Sequence, residues 1–452
     1  VRVVDIEQSE HVDGLEWRAR VVDAGEDRVL RFGGPAALVA DADATMFLAA
    51  TLLPAMAWGQ DLHVEGPVSA RVLGCAGTIA RSFAALDPSL RVPGVTASST
   101  VEPSATSEAV ACLFSRGVDS TYSAAVERTH PGPIDALVHC RTLEPVHDDA
   151  SAAVELQETS AAAERLGLPL QEVWTDLRAF TDPMFGWSAM HGSGLAALAH
   201  LVGSGFGHVV IPSAYDVHSL SPAGSHPAID PLWSSARTTV HHDHLDRNRH
   251  EKVRWLVEHR PDLLATLKIC YSVAERDNCG RCHKCLLTMS SLRAEGALHL
   301  ASRFPQELDL DAVRRQRIVH VGVRQLWPPI VRRAREVGDV ELAEALEDAL
   351  RLTAVPTLRE QLGGRWSALD RAWTALAGPP RHPPYDPERA TTFEAFDRVH
   401  TDAVAPLVRH GEVRPLGVPA PARQLRAGPL AAAVEASVRH RLASRRRGRA
   451  TG

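Results

Sequence analysis

Between residues 109 and 212, short apolar runs alternate with longer helical stretches, and this alternation restricts the fold more than any other feature of the chain. Ala109-Val-Ala-Cys-Leu-Phe114 has no charged residue to turn toward water, as expected of a strand buried on both faces of a parallel sheet. Ile134–Cys140, Leu170–Asp176 and His208–Pro212 read as further strands, and Thr121–Arg128, Ser151–Leu166 and Gly192–Val202 as the helices between them. Strands alternating with helices predict an α/β fold with a doubly wound parallel sheet. Ligands of such sheets bind at the carboxyl ends of the strands, near the point where the strand order reverses.

The chain has 452 residues, room for two or three domains. Residues 1–105 predict an N-terminal α+β domain, with strands at Arg18–Val22 and Val29–Phe32 and a helix at Asp41–Trp58. A segment rich in Pro, Ser and Thr, Val92–Pro103, marks the boundary with the sheet domain, 106–297. Residues 298–438 predict a helical C-terminal region, clearest at Val340–Leu352 and interrupted by a five-proline linker at Ala377–Glu388. A basic disordered tail, 439–452, carries Arg439, Arg441, Arg445, Arg446, Arg447 and Arg449 with no acidic residue. Contact of that tail with RNA, phosphate or a membrane surface is the alternative reading.

Hydrophobic content of 45% with 23% charged residues predicts a soluble globular protein. No apolar run reaches bilayer-spanning length and Val1-Arg-Val-Val-Asp5 shows no signal-peptide pattern, so a cytoplasmic address is expected, without a membrane partner. A net charge of −6 disfavours nucleic acid as the partner of the whole molecule. Only three lysines stand against 46 arginines, and Lys252, Lys268 and Lys284 fall in one short window. A lysine retained in such a background points to a need for a compact point charge.

Phe114-Ser-Arg-Gly-Val-Asp-Ser120 lies between a buried strand and a helix. A glycine-containing turn ahead of a helix presents backbone N–H groups at the positive end of the helix dipole, which suits an anion such as pyrophosphate. Ser115 and Ser120 add hydroxyl donors. Asp119 is poorly matched to bare phosphate, so its natural partner is the Mg²⁺ that accompanies ATP. The rival loop G-x-x-x-x-G-K-[ST] is excluded because no lysine here follows a glycine. A dinucleotide-like string, Gly192-Ser-Gly194-Leu-Ala-Ala197, lacks a strand directly before it.

Four of the seven cysteines, Cys270, Cys279, Cys282 and Cys285, fall within sixteen residues. Closely spaced Cys-x-x-Cys pairs hold one edge of a tetrahedron, so the cluster predicts a structural Zn²⁺ site, with an iron–sulfur cluster as the competitor. Gly280 eases the turn, Cys285 opens a helix running to Glu295, and His283 is an alternative ligand. Cys75, Cys112 and Cys140 read as scattered core thiols.

Ser115-Arg-Gly-Val-Asp-Ser120 resembles the Ser-Gly-Gly-x-Asp-Ser signature of the PP-loop (N-type) ATP pyrophosphatases, with Arg116 where that family has the first glycine of the pair. The cysteine spacing is similar to the zinc site of the cyano-deazaguanine synthase branch, which carries both motifs in the same order. Together the two matches cover about residues 108–296. The resemblance implies an adenine nucleotide alpha hydrolase-like fold and cleavage of ATP between the α- and β-phosphates, leaving AMP on a substrate oxygen. It implies that Ser115, Arg116, Gly117, Val118, Asp119 and Ser120 bind the nucleotide. It also implies that Cys140, at a strand end, sits near adenine, and that Lys252 lies near the phosphates. Asp119, Ser120 and Lys252 are the expected catalytic residues.

Ser213 and Asp216, after a strand end, and Gly224-Ser-His-Pro227 with Asp230 on the next loop either face a substrate or merely shape loops. His241, His242, His244 and His250 match no zinc-enzyme motif and read as an exposed polar segment. The expected activity is adenylation of a carboxylate or amide oxygen on a small-molecule or nucleobase-like substrate, followed by attack of ammonia or an amine. Sulfur transfer to tRNA or a small molecule, and a non-catalytic adenine nucleotide-binding module, are the alternatives.

Overall fold

The computed structural model describes residues 1–354 apart from 24–26, 88, 102–106, 142, 144–148, 183–186, 221–222, 271–276, 317 and 319–320. The five-proline segment and the basic tail therefore lie outside the described residues, as does most of the helical C-terminal region. Ten strands form one sheet: β1 (Arg2–His11), β2 (Gly14–Val22), β3 (Asp27–Gly34), β4 (Leu62–Ser69), β5 (Val95–Val101), β6 (Val110–Leu113), β7 (Ala136–Arg141), β8 (Leu170–Thr175), β9 (His208–Pro212) and β10 (Thr239–Asp243). Their order is β10-β9-β6-β7-β8-β3-β2-β1-β4-β5. The helices of eight residues or more among the described residues are α1 (Thr45–Ala57), α2 (Ala70–Leu86), α3 (Val118–Ala125), α4 (Asp149–Leu166), α5 (Trp187–Leu201), α6 (Arg249–His259), α7 (His283–Ala294), α8 (Pro328–Glu336) and α9 (Val340–Ala354).

Strands β6 to β10 pair in parallel, and the apolar β6 at their centre is buried throughout, as a strand covered on both faces of such a sheet must be. The chain winds outward from β6 through β7 to β8, then returns past β6 to lay down β9 and β10. The strand order reverses between β6 and β9, so the crevice at their carboxyl ends is the switch point at which such sheets bind ligands. The loop after β6 and residue Ser213 after β9 both sit there.

Residues 1–101 add five strands to the same sheet. The junction is antiparallel, with Phe32 opposite Thr175 and Gly33 opposite Trp174. A Cβ on Gly33 would stand 2.4 Å from the Trp174 ring, so only glycine lets the two strands close here. The Asp176 carboxylate accepts from the Arg31 backbone N–H at 2.7 Å and locks the seam. Helix α1 is apolar on every side and buried almost throughout, as a helix enclosed within a core must be. One core joins Leu30 and Phe47 to Val138, Val173, Leu198 and Ile211.

A second core gathers Val118 of α3, Val253 and Leu256 of α6, Leu286 and Met289 of α7, and Ile330 and Leu346 of the last two helices. The chain after the sheet is thereby packed against α3, the helix that follows the loop. No helix among the described residues is long and apolar enough to cross a membrane.

Candidate active site and metal centre

The turn from β6 into α3 is held by its own side chains. Ser120 Oγ accepts from the Ser115 backbone N–H at 3.2 Å and donates to the Gly117 carbonyl at 3.3 Å. Gly117 caps α3 in an extended conformation (φ −68°, ψ 163°). The left-handed residue is Arg116, with φ +58°. An L-residue there costs about 1–2 kcal/mol. Its carbonyl accepts the Lys268 N–H at 3.1 Å, and its side chain, 2% exposed, reaches Glu155 on α4 at 2.6 Å. Its Nε and Nη1 are buried and make no hydrogen bond among the described residues. Each such donor costs about 1–3 kcal/mol while unmatched, so the loop has a strong, unmet demand for an acceptor.

Asp119 lies in the first turn of α3, facing Arg249 and Lys252 of α6. Its Oδ2 pairs with Arg249, and its Oδ1 is 3.5 Å from Lys252 Nζ and makes no hydrogen bond among the described residues. Burial raises the carboxyl's pKa, but Arg249 and Lys252 outweigh it and hold the group below its ordinary value. Lys252 is fully buried and donates to the Ser213 carbonyl at 2.6 Å. Burial lowers its pKa and Asp119 opposes the shift. Helix α6 begins at this point in a capping box, with Asn248 and Glu251 each satisfying the other's backbone N–H. Arg249 and Lys252 thus share one helical face and converge on one carboxylate 130 or more residues earlier. Across the site, three cations (Arg116, Arg249, Lys252) meet two carboxylates (Asp119, Glu155), which leaves a positive excess suited to an anion.

The cysteine cluster forms as the spacing predicts. The four Sγ atoms lie within 4.8 Å of one another, with Cys270–Cys282 at 3.9 Å and Cys279–Cys285 at 3.8 Å. None of the four is in a disulfide. A tetrahedron with Zn–S bonds of about 2.3 Å has edges of about 3.8 Å, whereas a disulfide needs about 2.0 Å. The cluster can therefore hold a metal ion such as zinc. Gly280 takes φ +69° between the two Cys-x-x-Cys residues, and the Cys282 N–H points back at Cys279 Sγ at 3.3 Å. Asn278, 3% exposed, receives the Ile269 and Cys270 N–H groups at 2.9 and 3.2 Å and donates to the Leu267 carbonyl at 2.9 Å. Since Lys268 in the same segment donates to Arg116, the cysteine knuckle and the loop are one hydrogen-bonded unit.

Other expected residues divide. Cys140, next to last in β7, packs in the core, its Sγ 3.4 Å from the Arg141 carbonyl; burial pushes its thiol well up. Ser213 joins the site through Lys252, while Asp216 closes its own turn with Ser219. The histidine segment is corrected: His250 is 3% exposed and bonds Ser291 Oγ of α7 at 2.6 Å, and the His242 side chain is 5% exposed. Their charged neighbours disguised them as surface residues. The string Gly192–Ala197 lies inside α5, where a Cβ on Gly192 would meet the Gly224 carbonyl at 1.9 Å, so that glycine serves packing. Sequence reading missed Arg249, although its three-residue spacing from Lys252 on a capped helix was available as a signal. Glu155 and Asn278 carried none.

No family model matches the chain, and no curated protein or solved structure is significantly similar to it. Fold and site together define an α/β protein with a large, mostly parallel sheet and a four-cysteine cluster able to hold a metal ion.

Proposed function

We propose that the protein uses ATP to adenylate a carboxylate or amide oxygen of a small molecule, releasing pyrophosphate, and that ammonia or an amine then displaces AMP. The observation that carries this reading is the meeting of Asp119, Arg249 and Lys252 beside the Ser115–Ser120 turn at the sheet's switch point. The unmatched Arg116 nitrogens and the α3 N-terminus suit the β- and γ-phosphates. The Asp119 Oδ1, which has only a 3.5 Å ion pair with Lys252, suits Mg²⁺, which when bound would offset phosphate charge. In this mechanism Lys252 and Arg249 stabilise charge developing on the departing pyrophosphate, and the loop fixes the α-phosphate in line with the substrate oxygen. The substrate oxygen forms the new bond to phosphorus as the α–β bridge breaks. In the second step the amine nitrogen attacks carbon, and the activated oxygen leaves with AMP. Cys270, Cys279, Cys282 and Cys285 would hold a zinc ion, whose part would be structural because four thiolates would close its shell.

Sulfur transfer needs a reactive thiol outside the metal shell. Burial pushes the Cys112 thiol up to about 12 and raises Cys140 as well, which disfavours both; Cys75, half-buried on α2, is the remaining thiol outside the cluster. The binding-module reading draws support from Arg116, whose left-handed backbone and Glu155 contact stand where the resembled loop has glycine.

The test is metal content and ATP consumption by wild type and Asp119→Asn against a panel of carboxylates and amides with ammonia. Zinc with AMP and pyrophosphate from wild type alone supports adenylation. ADP and phosphate as products overturn it, and ATP bound but never cleaved favours the binding module.

A further inference from the structure

Behind Lys252, the carboxyl ends of β9 and β10 carry a second hydrogen-bonded chain. Ser213 Oγ is 2.9 Å from His242 Nε2, and His242 Nδ1 is 2.7 Å from Asp230 Oδ2. All three side chains are buried, Asp230 completely. Serine, histidine and aspartate at these spacings are the constellation of an activated nucleophile. The hydrogen inventory points the other way.

A serine hydroxyl has one hydrogen to give. Ser213 Oγ stands 2.6 Å from the Tyr215 carbonyl oxygen, which can only accept, so the hydrogen goes there. Toward His242 the same oxygen is an acceptor, and Nε2 must carry the hydrogen between them. At the other end Asp230 already accepts from the Ser225 hydroxyl at 2.6 Å and the His226 N–H at 3.2 Å. A carboxylate oxygen that receives these donors is an acceptor toward Nδ1 too, so Nδ1 donates to it as well. Both ring nitrogens thus face acceptors, the reverse of a base awaiting a serine proton.

Every polar atom of Ser213 is engaged. Its N–H donates to the Asp243 carbonyl at 3.1 Å, its Oγ also accepts the Tyr215 N–H at 3.2 Å, and its carbonyl receives Lys252 Nζ at 2.6 Å. We infer that His242 is a positioning residue: with Asp230 it pins Ser213, and the Ser213 carbonyl aims the Lys252 ammonium at Asp119. This rests on the reading that Asp119 and Lys252 handle the triphosphate. A shift of about 1 Å in such a group costs on the order of 10²-fold in rate.

Two readouts test it on the full chain. In ¹⁵N NMR of histidine-labelled protein near neutral pH, the signal lost in His242→Gln should show both nitrogens protonated; a neutral-tautomer pattern overturns the assignment. A double-mutant cycle of His242→Gln with Lys252→Ala is then read in AMP formation and in denaturant unfolding. AMP formation should fall about 10²-fold with His242→Gln, and not further when Lys252 is already absent. The unfolding cycle should show coupling between the same pair. Independent losses in both overturn the inference, as does labelling of wild-type Ser213 by a fluorophosphonate, which would reveal a nucleophile. Asp230→Asn, which keeps shape and volume, repeats the cycle if His242→Gln does not fold. A wild type that makes no AMP sinks the functional reading, and the NMR and unfolding data then decide this one.

Discussion

In the cysteine cluster four thiols close on one another, with Sγ pairs at 3.8 and 3.9 Å. The loop site is less complete: Nε and Nη1 of Arg116 have no hydrogen bond among the described residues, and Oδ1 of Asp119 has only the 3.5 Å ion pair with Lys252. The two are joined through Lys268, whose N–H holds the Arg116 carbonyl. A closed shell spends its whole bonding capacity on structure, whereas an open one reserves it for something that comes and goes. On the proposed reading the contrast divides the labour: the cluster would fix the segment that shapes the loop, and the loop would meet the nucleotide.

The largest expected effect breaks the closed member. Cys282→Ser, or a strong chelator on wild type, should remove the metal and unfold the segment that carries Lys268 and Asn278. Metal-driven folding free energies reach on the order of 10 kcal/mol in small zinc modules, so the melting transition should fall or lose cooperativity. Elemental analysis beside a thermal melt checks this, and an unchanged melt after complete metal loss would leave the knuckle without a structural role. Nucleotide affinity should fall with the metal, because the loop loses its strut.

Asp119→Asn tests the open member. It keeps the volume between Arg249 and Lys252 while removing the charge, and metal content should not change. AMP formation should fall about 10²–10³-fold, the scale of losing one preorganised electrostatic group. Equal losses of metal and activity would show that the two sites are not separable.

His250 spans the comparison, since it sits on α6 two residues before Lys252 and contacts Ser291 of the metal-cluster helix α7 and Glu295 just after it. Burial holds its pKa at about 4 against an ordinary 6.5; Glu295 opposes the shift and Arg254, Arg333 and Arg332 add to it. The unfolded chain therefore binds more protons between those values. Stability from the neutral ring is complete above pH 6.5 and is lost as the pH falls toward 4, by on the order of 3 kcal/mol. His250→Gln should flatten that limb of the stability curve, as measured by denaturant midpoints from pH 4 to 7. An unaltered limb would place the acid sensitivity elsewhere.

How far the chain could be read follows the same division. The strand, turn and helix around Ser115–Ser120 and the four cysteines were legible because local chemistry determines them: an apolar run, a glycine before a helix, soft ligands at short spacing. The lysine scarcity pointed at Lys252, which does reach Asp119. The single ten-stranded sheet was not legible, because the β3–β8 junction joins residues more than 140 apart through one glycine and one tryptophan. Strands β1, β4 and β5 carry polar residues at their exposed positions and resemble loops in composition. His242 and His250 looked exposed beside Asp243, Asp246 and Arg247, since burial of a charged segment depends on partners that local sequence does not show.

The smallest effect sharpens the comparison most. Arg116→Gly restores the glycine pair of the loop pattern that the segment resembles. It relieves a left-handed arginine, worth about 1–2 kcal/mol, and it removes a buried ion pair with Glu155. If the guanidinium only props the loop against α4, stability changes but nucleotide affinity stays level. If its two free nitrogens are reserved for phosphate, the variant loses charge-assisted hydrogen bonds worth about 1.5–3 kcal/mol, which is about 10–100-fold in affinity. Titration calorimetry with pyrophosphate and with ATP separates the cases, and we expect the loss in both, because both present the same β-phosphate oxygens to the turn. A loss with ATP alone would move Arg116 away from the pyrophosphate and toward the α-phosphate or the sugar. Either result assigns the unmatched nitrogens, the feature that most distinguishes this loop from the closed cluster beside it.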